Sequence, residues 1–522
     1  MSVIDNRKIG PLVSVIVPTF NRPKFLSQAL ASVLRQTYAN LQVIAVNDGG
    51  QDVTGVVNSF ADHRVIFINR KENRGKAFSL NEALARATGK YVAYLDDDDL
   101  YYPNHVETLV GALEGQTGCG VAYSDFYKVS CRVMPDGARQ VLSKVVEVSR
   151  DFDRFFMLYF NHVLHVCLMH HRDLLEKTGP YNEDLKVLID WDMTRRLAFF
   201  TDFCHVCEIT GEYYNPIDQS DRMSVRWRKD KNEYLKNVLT IRTTRPPKPW
   251  PKIEDVSVIF APDRLDGETG KTIGSIWRYT FFPYRLYLPL PEAGFGRIRT
   301  DMPGIIPVPV NPVFSVTRRI DTALQACDGE LVAIVPAGFP IKDFWIENSL
   351  YALINSSVPR HAFELENSTD ALWAAVIRRA DLKYARQAFP DLPVRQSLHA
   401  AGVVLNRPRP EQFPFRFDNL LQQARLAAKN GSWVEAAEVF EHIADHYQNT
   451  LWMKGLAAKA FFEAGDHIKS AKLAGEVNRQ RPTVDTLLLE AKLNREKKKF
   501  PPAIKLLGKA EQILEGSELL WT

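Results

Sequence analysis

Long apolar runs are absent from this sequence of 522 residues, and none reaches the roughly 18 residues that a membrane-spanning helix needs. The first ten residues, MSVIDNRKIG, contain no apolar signal core, so no secretory signal is expected. An excess of one charge is also absent, because 66 Lys and Arg stand against 62 Asp and Glu, a net charge of +4. These absences argue against a transmembrane segment and against nucleic acid as the main partner.

Cysteine is rare as well, with six residues scattered along the chain. Six cysteines without a dense spacing pattern predict no disulfide framework and favour a reducing cytoplasm. The rest of the composition, 45% hydrophobic and 25% charged, is ordinary for a globular protein. We therefore expect a cytoplasmic protein, with peripheral attachment at the inner face of the membrane left open.

The most informative feature that is present is a run of four aspartates at residues 96–99, directly behind the apolar segment YVAYL at 91–95. A buried parallel strand is typically a continuous apolar run. Ligands of open α/β sheets bind at the carboxyl ends of such strands. Four carboxylates there would repel one another unless a positive charge neutralised them, and a divalent cation suits that need. Taken alone, however, a charge run more often marks a solvated loop.

The distribution of apolar strands, helical stretches and prolines divides the chain into segments. The strands that carry the first segment are predicted at residues 13–18, 42–46, 65–68 and 91–95. The predicted domains are an α/β domain at 1–240, a Pro-rich linker at 241–253, a second α/β domain at 254–405, a linker at 406–418 and an all-α tail of helical hairpins at 419–522.

The second α/β segment is predicted to repeat the first. The strand VSVI at residue 13 recurs at residue 256, and YVAYL at residue 91 corresponds to LVAIV at residue 331. The aspartates do not recur, since positions 96–98 correspond to Pro-Ala-Gly at 336–338. The prediction is therefore the same fold without its acidic chemistry, used as a structural or acceptor-binding module. Chance similarity between two α/β domains is the alternative.

The tail contains a weaker repeat. Gly431, Gly465 and Lys499 recur at a spacing of 34 residues, which is the tetratricopeptide period. Two or three helix–turn–helix pairs of this kind would bind a protein partner or form a homo-oligomer. The alternative is a plain helical cap on the second domain.

Several further motifs of the first segment follow one another in order. They are VSVIVPTFNR at 13–22, ASVLRQTY at 31–38, VNDGG at 46–50, NRGK at 73–76, NEAL at 81–84 and YLDDDD at 94–99. Together they closely resemble the inverting family 2 glycosyltransferases, which have a GT-A fold. The resemblance covers about residues 11–225. It implies transfer of a sugar from a nucleoside-diphosphate donor, UDP by family habit, to a nucleophilic acceptor.

The resemblance also implies roles for the nucleotide-binding side. The residues that would contact the nucleotide or its phosphates are Pro18, Thr19, Asn21, Asp48, Arg74 and Lys76. Asp48 would accept a hydrogen bond from the base, commonly the uracil N–H. The alternatives are local: a turn that Asp48 favours by itself, and an ordinary loop-to-helix start at Arg74 and Lys76.

In the aspartate run, Asp96 and Asp98 match the family's D-x-D pair, one near the ribose and one on Mg²⁺ or Mn²⁺. The run leaves the register ambiguous by one residue, and Asp97 is counted with the nucleotide contacts. Breaking the bond to a diphosphate builds negative charge on the leaving group, which a metal neutralises.

A general base is expected on the other side of the sugar. The segment LIDWDMTRRL at 188–197 resembles the family's Glu-Asp motif at the head of a helix, and Asp190 aligns with the family base. Ile189 replaces the usual Glu, which leaves Asp190 in an apolar setting that would raise its pKa. Asp192 is the second candidate. The alternative is that either aspartate only caps the helix.

Two departures qualify the resemblance. Relatives often carry a His after the base motif, whereas residues 212–218 read EYYNPID. Positive charge for the diphosphate could come instead from Arg222, Arg226, Arg228 and Lys229, which fit a solvated helix face equally well. Cys204 and Cys207 form a single C-x-x-C, a weak sign of zinc, and inert buried thiols are predicted.

The sequence therefore predicts a metal-dependent, inverting glycosyltransferase. Its acceptor would be a glycan, a lipid-linked molecule or a protein. The alternative function is a catalytically inactive scaffold that binds a sugar nucleotide and assembles a glycan-synthesis complex.

Overall fold

A computed structural model of the chain describes residues 10–146, 149–217, 230–262, 264–297, 304–409, 416–447 and 451–519. The chain forms two compact units. The first contains residues 1–153, 162–229 and 417–522, and the second contains residues 154–161 and 230–416. The helical tail thus packs in the same unit as the first α/β segment, although the second segment separates them in sequence.

The first unit is built on a sheet of nine strands in its described residues. The strands are β1 (Val13–Thr19), β2 (Leu41–Asn47), β3 (Val65–Asn69), β4 (Tyr91–Tyr94), β5 (Leu100–Tyr101), β6 (Cys119–Val133), β7 (Arg139–Val146), β8 (Leu168–His171) and β9 (Asp202–Pro216). Their order is β3-β2-β1-β4-β8-β6-β9-β5, and β7 pairs with β6. The strands β1 to β4 are parallel, whereas β8 is antiparallel to both of its neighbours. The predicted α/β fold is confirmed here as a mixed sheet.

Helices flank this sheet, and the first three follow its parallel strands β1, β2 and β3. They are α1 (Pro23–Leu34), α2 (Thr54–Asn58), α3 (Lys76–Leu84), α4 (His105–Gly115), α6 (Leu174–Thr178) and α7 (Ile189–Leu197). The first helix shows why: Pro23 suits the first helical position, and Leu26, Leu30 and Val33 bury one face. The loops at the carboxyl ends of β1, β2 and β4 are therefore brought to one edge of the sheet.

The second unit contains a seven-stranded sheet in its described part. Its strands are β10 (Val256–Phe260), β11 (Tyr284–Leu290), β12 (Ile305–Pro309), β13 (Leu331–Val335), β14 (His361–Glu364), β15 (Ala375–Arg378) and β16 (Val404–Asn406). Its helices are α5 (Arg154–Tyr159), α8 (Lys231–Thr243), α9 (Gly267–Tyr279), α10 (Val316–Ala326), α11 (Glu347–Ile354), α12 (Arg379–Ala388) and α13 (Val394–Ala400).

The second sheet has the same strand order as the first over six strands. It runs β12-β11-β10-β13-β15-β14, with four parallel strands followed by an antiparallel one. Val256 pairs with residues 284 and 331, as Val13 pairs with residues 41 and 91. This correspondence supports the predicted repeat. The interpretation of the second domain as a degenerate copy stays a prediction.

The tail is a series of helices joined by short connections. They are α14 (Arg416–Lys429), α15 (Trp433–His446), α16 (Leu451–Glu463), α17 (His467–Gln480), α18 (Val484–Glu496) and α19 (Phe500–Leu519). Turns with a positive φ at Gly431, Gly465 and Lys498 separate the two helices of each predicted hairpin, and the third turn lies one residue before the predicted Lys499. Small and aromatic residues such as Ala436, Phe440 and Ala457 fill their interior. The tetratricopeptide assignment stays a prediction.

Candidate active site

Asp48 organises the loop that follows β3. Its backbone N–H donates to the carbonyl of Thr19 at 2.9 Å, which ties the ends of β1 and β2 together. Its carboxylate accepts from the backbone N–H groups of Arg74 at 2.8 Å and Gly75 at 2.9 Å. The Arg70 guanidinium forms an ion pair with the same carboxylate. These contacts within the protein hold the Asp48 carboxylate in place. Its predicted hydrogen bond to a nucleotide base stays a proposal.

The turn after Asp48 requires glycine. Gly49 has a φ of +76°, and a Cβ there would lie 2.7 Å from the backbone carbon of Glu72 and 2.8 Å from the nitrogen of Asn73. This close approach is what brings Arg74 and Gly75 onto the carboxylate of Asp48. Arg70 was missed by sequence reasoning, because it lies outside the motifs and only the neighbouring ends of β2 and β3 bring it to Asp48.

The aspartate run meets two cations from different motifs. The Lys76 ammonium lies 2.5 Å from an oxygen of Asp96. Arg22 donates to Asp97 at 3.2 Å and to Asp98 at 2.8 Å. The Thr19 hydroxyl donates to Asp97 at 2.7 Å. Arg22 stands at the end of the first motif but was not predicted as a site residue; its spacing from β1 was the available signal.

The fourth aspartate has a backbone partner of its own. Asp99 is fully buried, and its carboxylate accepts from the backbone N–H of Tyr214 at 2.8 Å. It therefore joins the end of β4 to β9, while the first three aspartates of the run meet the cations.

The charged groups of this cluster shift one another's pKa values. Burial raises the pKa of Asp97 to about 6, and the neighbouring Asp98 carboxylate adds to the rise. Burial also acts to raise the pKa of Asp96, but the neighbouring basic groups, led by Lys76, together outweigh it and the pKa is lowered. Burial lowers the pKa of Lys76, yet the carboxylates, led by Asp96, raise it overall. The cluster thus keeps charged groups of both signs in a largely buried place.

The donor set fits a hard divalent cation. Carboxylate oxygens of Asp96, Asp98 and Asp99 lie within 4.8 Å of one another. Carboxylate oxygen is the ligand that Mg²⁺ and Mn²⁺ prefer. The two predicted ligands, Asp96 and Asp98, are both in this group.

Asp190 lies in the first turn of α7, and the strained residue Leu188, with a φ of +63°, precedes the helix. Burial raises the pKa of Asp190; the charge of Lys76 opposes that shift and the charge of Asp96 adds to it. Asp190 is therefore within electrostatic reach of the cluster that contains the aspartate run.

Asp192 has a different environment, although it is two residues away. Its side chain is 1% exposed and accepts from Arg196 at 2.6 and 3.0 Å. Arg196 also donates to the carbonyl of Thr178 at 2.6 Å. This buried pair braces α7 against α6 and engages the Asp192 carboxylate, and the choice of Asp190 or Asp192 as the base stays a prediction.

The remaining predicted nucleotide contacts are spread around the same edge. Asn21 has a φ of +57°, and its side chain accepts from the backbone N–H of Gln51 at 2.7 Å. The Arg74 guanidinium is stacked on Phe78 at 3.4 Å from the ring centre. Pro18 belongs to β1. The basic residues predicted between 222 and 229 lie outside the described residues.

The cysteines differ from the prediction of inert thiols. Cys204 forms a disulfide with Cys119 of the neighbouring strand β6. Cys207 remains a partly exposed thiol beside His205. The pairing was missed because the two cysteines are 85 residues apart and only the register of β6 and β9 brings them together.

Known proteins resemble the first segment. Residues 14–170 match the family model described as glycosyl transferase family 2. An uncharacterised glycosyltransferase of Rickettsia typhi is 32% identical over 192 residues, which are 35% of this chain and 58% of that protein. The solved structure of S. aureus TarS 1–349 in complex with UDP-GlcNAc is similar at 19% identity and a TM-score of 0.36, over 44% of this chain and 66% of that chain. A mannosyltransferase of Pyrobaculum calidifontis in complex with GDP-Man and Mn²⁺ is similar at 21% identity and a TM-score of 0.32, over 46% of this chain and 66% of that chain.

Residues 14–170 form a glycosyl transferase family 2 domain. The prediction of a glycosyltransferase domain is thereby confirmed. The family 2 domain contains β1 to β4, the cation contacts of the aspartate run and Asp48, whereas Asp190 lies beyond the matched span. The chain covers less than two thirds of the Rickettsia relative, 58% of its length. Within the described ranges, no helix combines the length and apolarity needed to cross a bilayer.

Proposed function

We propose that the protein is an inverting glycosyltransferase that moves a sugar from a nucleoside diphosphate, with UDP as the expected carrier, to a glycan, lipid-linked or protein acceptor. One observation carries the proposal. At the carboxyl ends of the parallel strands, Asp96 pairs with Lys76 and Asp98 pairs with Arg22. Asp190 is within electrostatic reach of Lys76 and Asp96. Such an edge is where ligands of α/β sheets bind.

Each charged group would have a distinct task. Asp96 and Asp98 would hold Mn²⁺ or Mg²⁺, which when bound supplies positive charge for the diphosphate leaving group. Lys76 carries three rotatable donors and would bind diphosphate oxygens from the side of α3. Asp190 would take the proton of the acceptor hydroxyl, and its raised pKa brings it closer to a working base.

The location and the partners of the whole protein are proposals too. A cytoplasmic location agrees with the low cysteine content of the sequence. The Cys119–Cys204 disulfide weighs against it, because disulfides are rare in a reducing compartment. Assembly through the helical tail, with a protein partner or a second copy, rests on its hairpin pattern.

The test is release of nucleotide by the purified full chain from a panel of UDP, GDP, CDP and dTDP sugars, with Mn²⁺, Mg²⁺ or EDTA. We expect slow, metal-dependent release from one donor. Asp98→Ala should abolish it, whereas Glu176→Ala, which changes an exposed carboxylate on α6, should not. Release that persists in EDTA and in Asp98→Ala would contradict the metal role. Absence of both turnover and metal-dependent nucleotide binding would favour the inactive scaffold.

A further inference from the structure

A second cluster of metal-binding side chain types lies on β9, away from the aspartate run. The Nδ1 atom of His205 is 3.1 Å from a carboxylate oxygen of Asp151 and 3.6 Å from the sulfur of Cys207. Carboxylate, imidazole and thiol atoms of these three residues all lie within 4.8 Å of one another. His205 and Cys207 are two residues apart on β9, and their contact shows that the two side chains lie together.

These distances agree with one ion bound at the centre. A tetrahedral zinc with bonds of about 2.0–2.1 Å to nitrogen and about 2.3 Å to sulfur separates those two ligand atoms by roughly 3.6 Å, and nitrogen from a carboxylate oxygen by roughly 3.3 Å. The observed separations, 3.6 and 3.1 Å, come close to both. Moreover, a single N–H at Nδ1 of His205 cannot point well at both Asp151 and Cys207, whereas a metal ion between them would bind all three side chains.

The other ring nitrogen has the partner that a metal-bound histidine usually has. The Nε2 atom of His205 lies 2.8 Å from a carboxylate oxygen of Asp125, and both side chains are 2% exposed. A histidine ligand commonly donates its second N–H to a carboxylate, which fixes the ring and raises its basicity. Stacking on Tyr123, with ring centres 4.9 Å apart, further limits the ring's orientation.

The strand itself is irregular at this place. In the ladder between β6 and β9, Ser124 pairs with Val206 but the next residue, Asp125, pairs with Ile209. The extra residues in β9 form a bulge that contains Cys207. Bulges re-aim side chains and are frequent beside functional sites.

We propose that Asp151, His205 and Cys207 form a zinc site, with the partly exposed side of Asp151 leaving a fourth position for water. The site would fasten the segment before α5 to β9, and through Asp125 it would steady the tail, because Arg481 donates to the same Asp125 carboxylate at 2.6 Å. This proposal is independent of the glycosyltransferase chemistry.

The test uses the full chain with Zn²⁺ or Co²⁺ as the only added metal. The thiolate-to-metal charge-transfer band should saturate at one equivalent of Co²⁺ per chain, and the visible spectrum should be that of a tetrahedral site. Cys207→Ser should remove the band, while Cys327→Ser, a matched change of a buried thiol in the second unit, should leave it intact. Asp98→Ala should leave it intact as well, which separates this site from the aspartate run.

A second measurement covers the case in which Cys207→Ser does not fold. X-ray absorption of the zinc-loaded wild-type chain should show one sulfur and one imidazole in the first shell. Asp125→Asn should weaken Zn²⁺ binding by about 10- to 100-fold, the usual effect of an outer partner. A cobalt spectrum without a thiolate band, a band that survives Cys207→Ser, or a shell of oxygen and nitrogen alone would overturn the proposal.

Discussion

Asp190 and Asp192, about half a helical turn apart on α7, should respond differently to substitution by asparagine. The first substitution should lower activity, and the second should lower stability. In Asp190→Asn, a carboxylate that is within electrostatic reach of Lys76 and Asp96 loses its ability to accept a proton. Removing a general base typically lowers the rate by about 10²- to 10⁴-fold, or roughly 3–5.5 kcal/mol in the activation free energy. Because amide and carboxylate have nearly the same shape, the stability of the fold should change little.

In Asp192→Asn the loss should be in stability. The substitution leaves the guanidinium of Arg196 buried without its carboxylate, and breaking a buried ion pair typically costs about 3–5 kcal/mol. The carbonyls of Thr178 and Gly179 still accept from Arg196, so the lower part of that range is expected. The activity per folded molecule should stay within about tenfold of wild type, less than the loss of a general base gives.

The assay combines turnover of the donor found in the panel with unfolding in urea, followed by tryptophan fluorescence. The reasoning would be refuted by an Asp190→Asn protein that keeps most of its kcat while a fully folded Asp192→Asn protein loses it. That outcome would assign the base to Asp192 and would leave Asp190 as a residue of the helix start.

Three further predictions follow from buried charge, a tight turn and the pKa of the base. Lys144→Met should lower the free energy of unfolding by about 3–5 kcal/mol, because it leaves the fully buried Glu212 carboxylate without its cation. Lys454→Met, which breaks a partly exposed pair, should cost less than about 1 kcal/mol, and urea unfolding of both variants checks the difference. Gly49→Ala should weaken nucleotide binding and lower the free energy of unfolding by at least about 1–2 kcal/mol, because residue 49 has a positive φ and its Cβ would overlap the backbone of residues 72 and 73. Calorimetry measures the binding and urea unfolding measures the stability; unchanged binding would contradict the role of the turn. As the pH is lowered, activity should fall with a pKa above the usual 3.8 of Asp, because burial raises the pKa of Asp190. Lys76→Met removes a charge that lowers this pKa, so the acid limb of the pH–activity profile should move to higher pH; a limb that stays or moves to lower pH would contradict the role of Lys76.

Regular structure was predictable because its signal is local. The apolar runs at 13–18, 42–46 and 65–68 coincide with β1, β2 and β3 to within about a residue or two, since continuous burial in a parallel sheet demands such runs. The helix that begins at Pro23 also has a local signal, because its sequence carries an apolar face and a proline at the first helical position.

Contacts between distant residues were less accessible. Arg22 reaches Asp98 across 76 positions, and Cys119 reaches Cys204 across 85. Neither pair has a periodic or compositional signature, because each depends on the order and register of strands. The packing of the tail in the first unit depends likewise on isolated polar side chains such as Arg481, which look like any surface residue in the sequence.

The segment that departs from the family pattern explains how the tail and the aspartate run are connected. Residues 212–218 lack the usual histidine, but the backbone of Tyr214 holds Asp99, and the neighbouring Glu212 accepts from Lys144, Tyr102 and the hydroxyl of Tyr214. Lys144 in turn donates to the carbonyl of Ile513 in the last helix of the tail at 3.2 Å. One stretch of β9 therefore fixes the end of the aspartate run on one side and the tail on the other. Because these groups are buried and share partners, their energies should not be additive. A change that loosens the tail at Lys144 should be felt at Asp99, which places the tail among the elements that support the site.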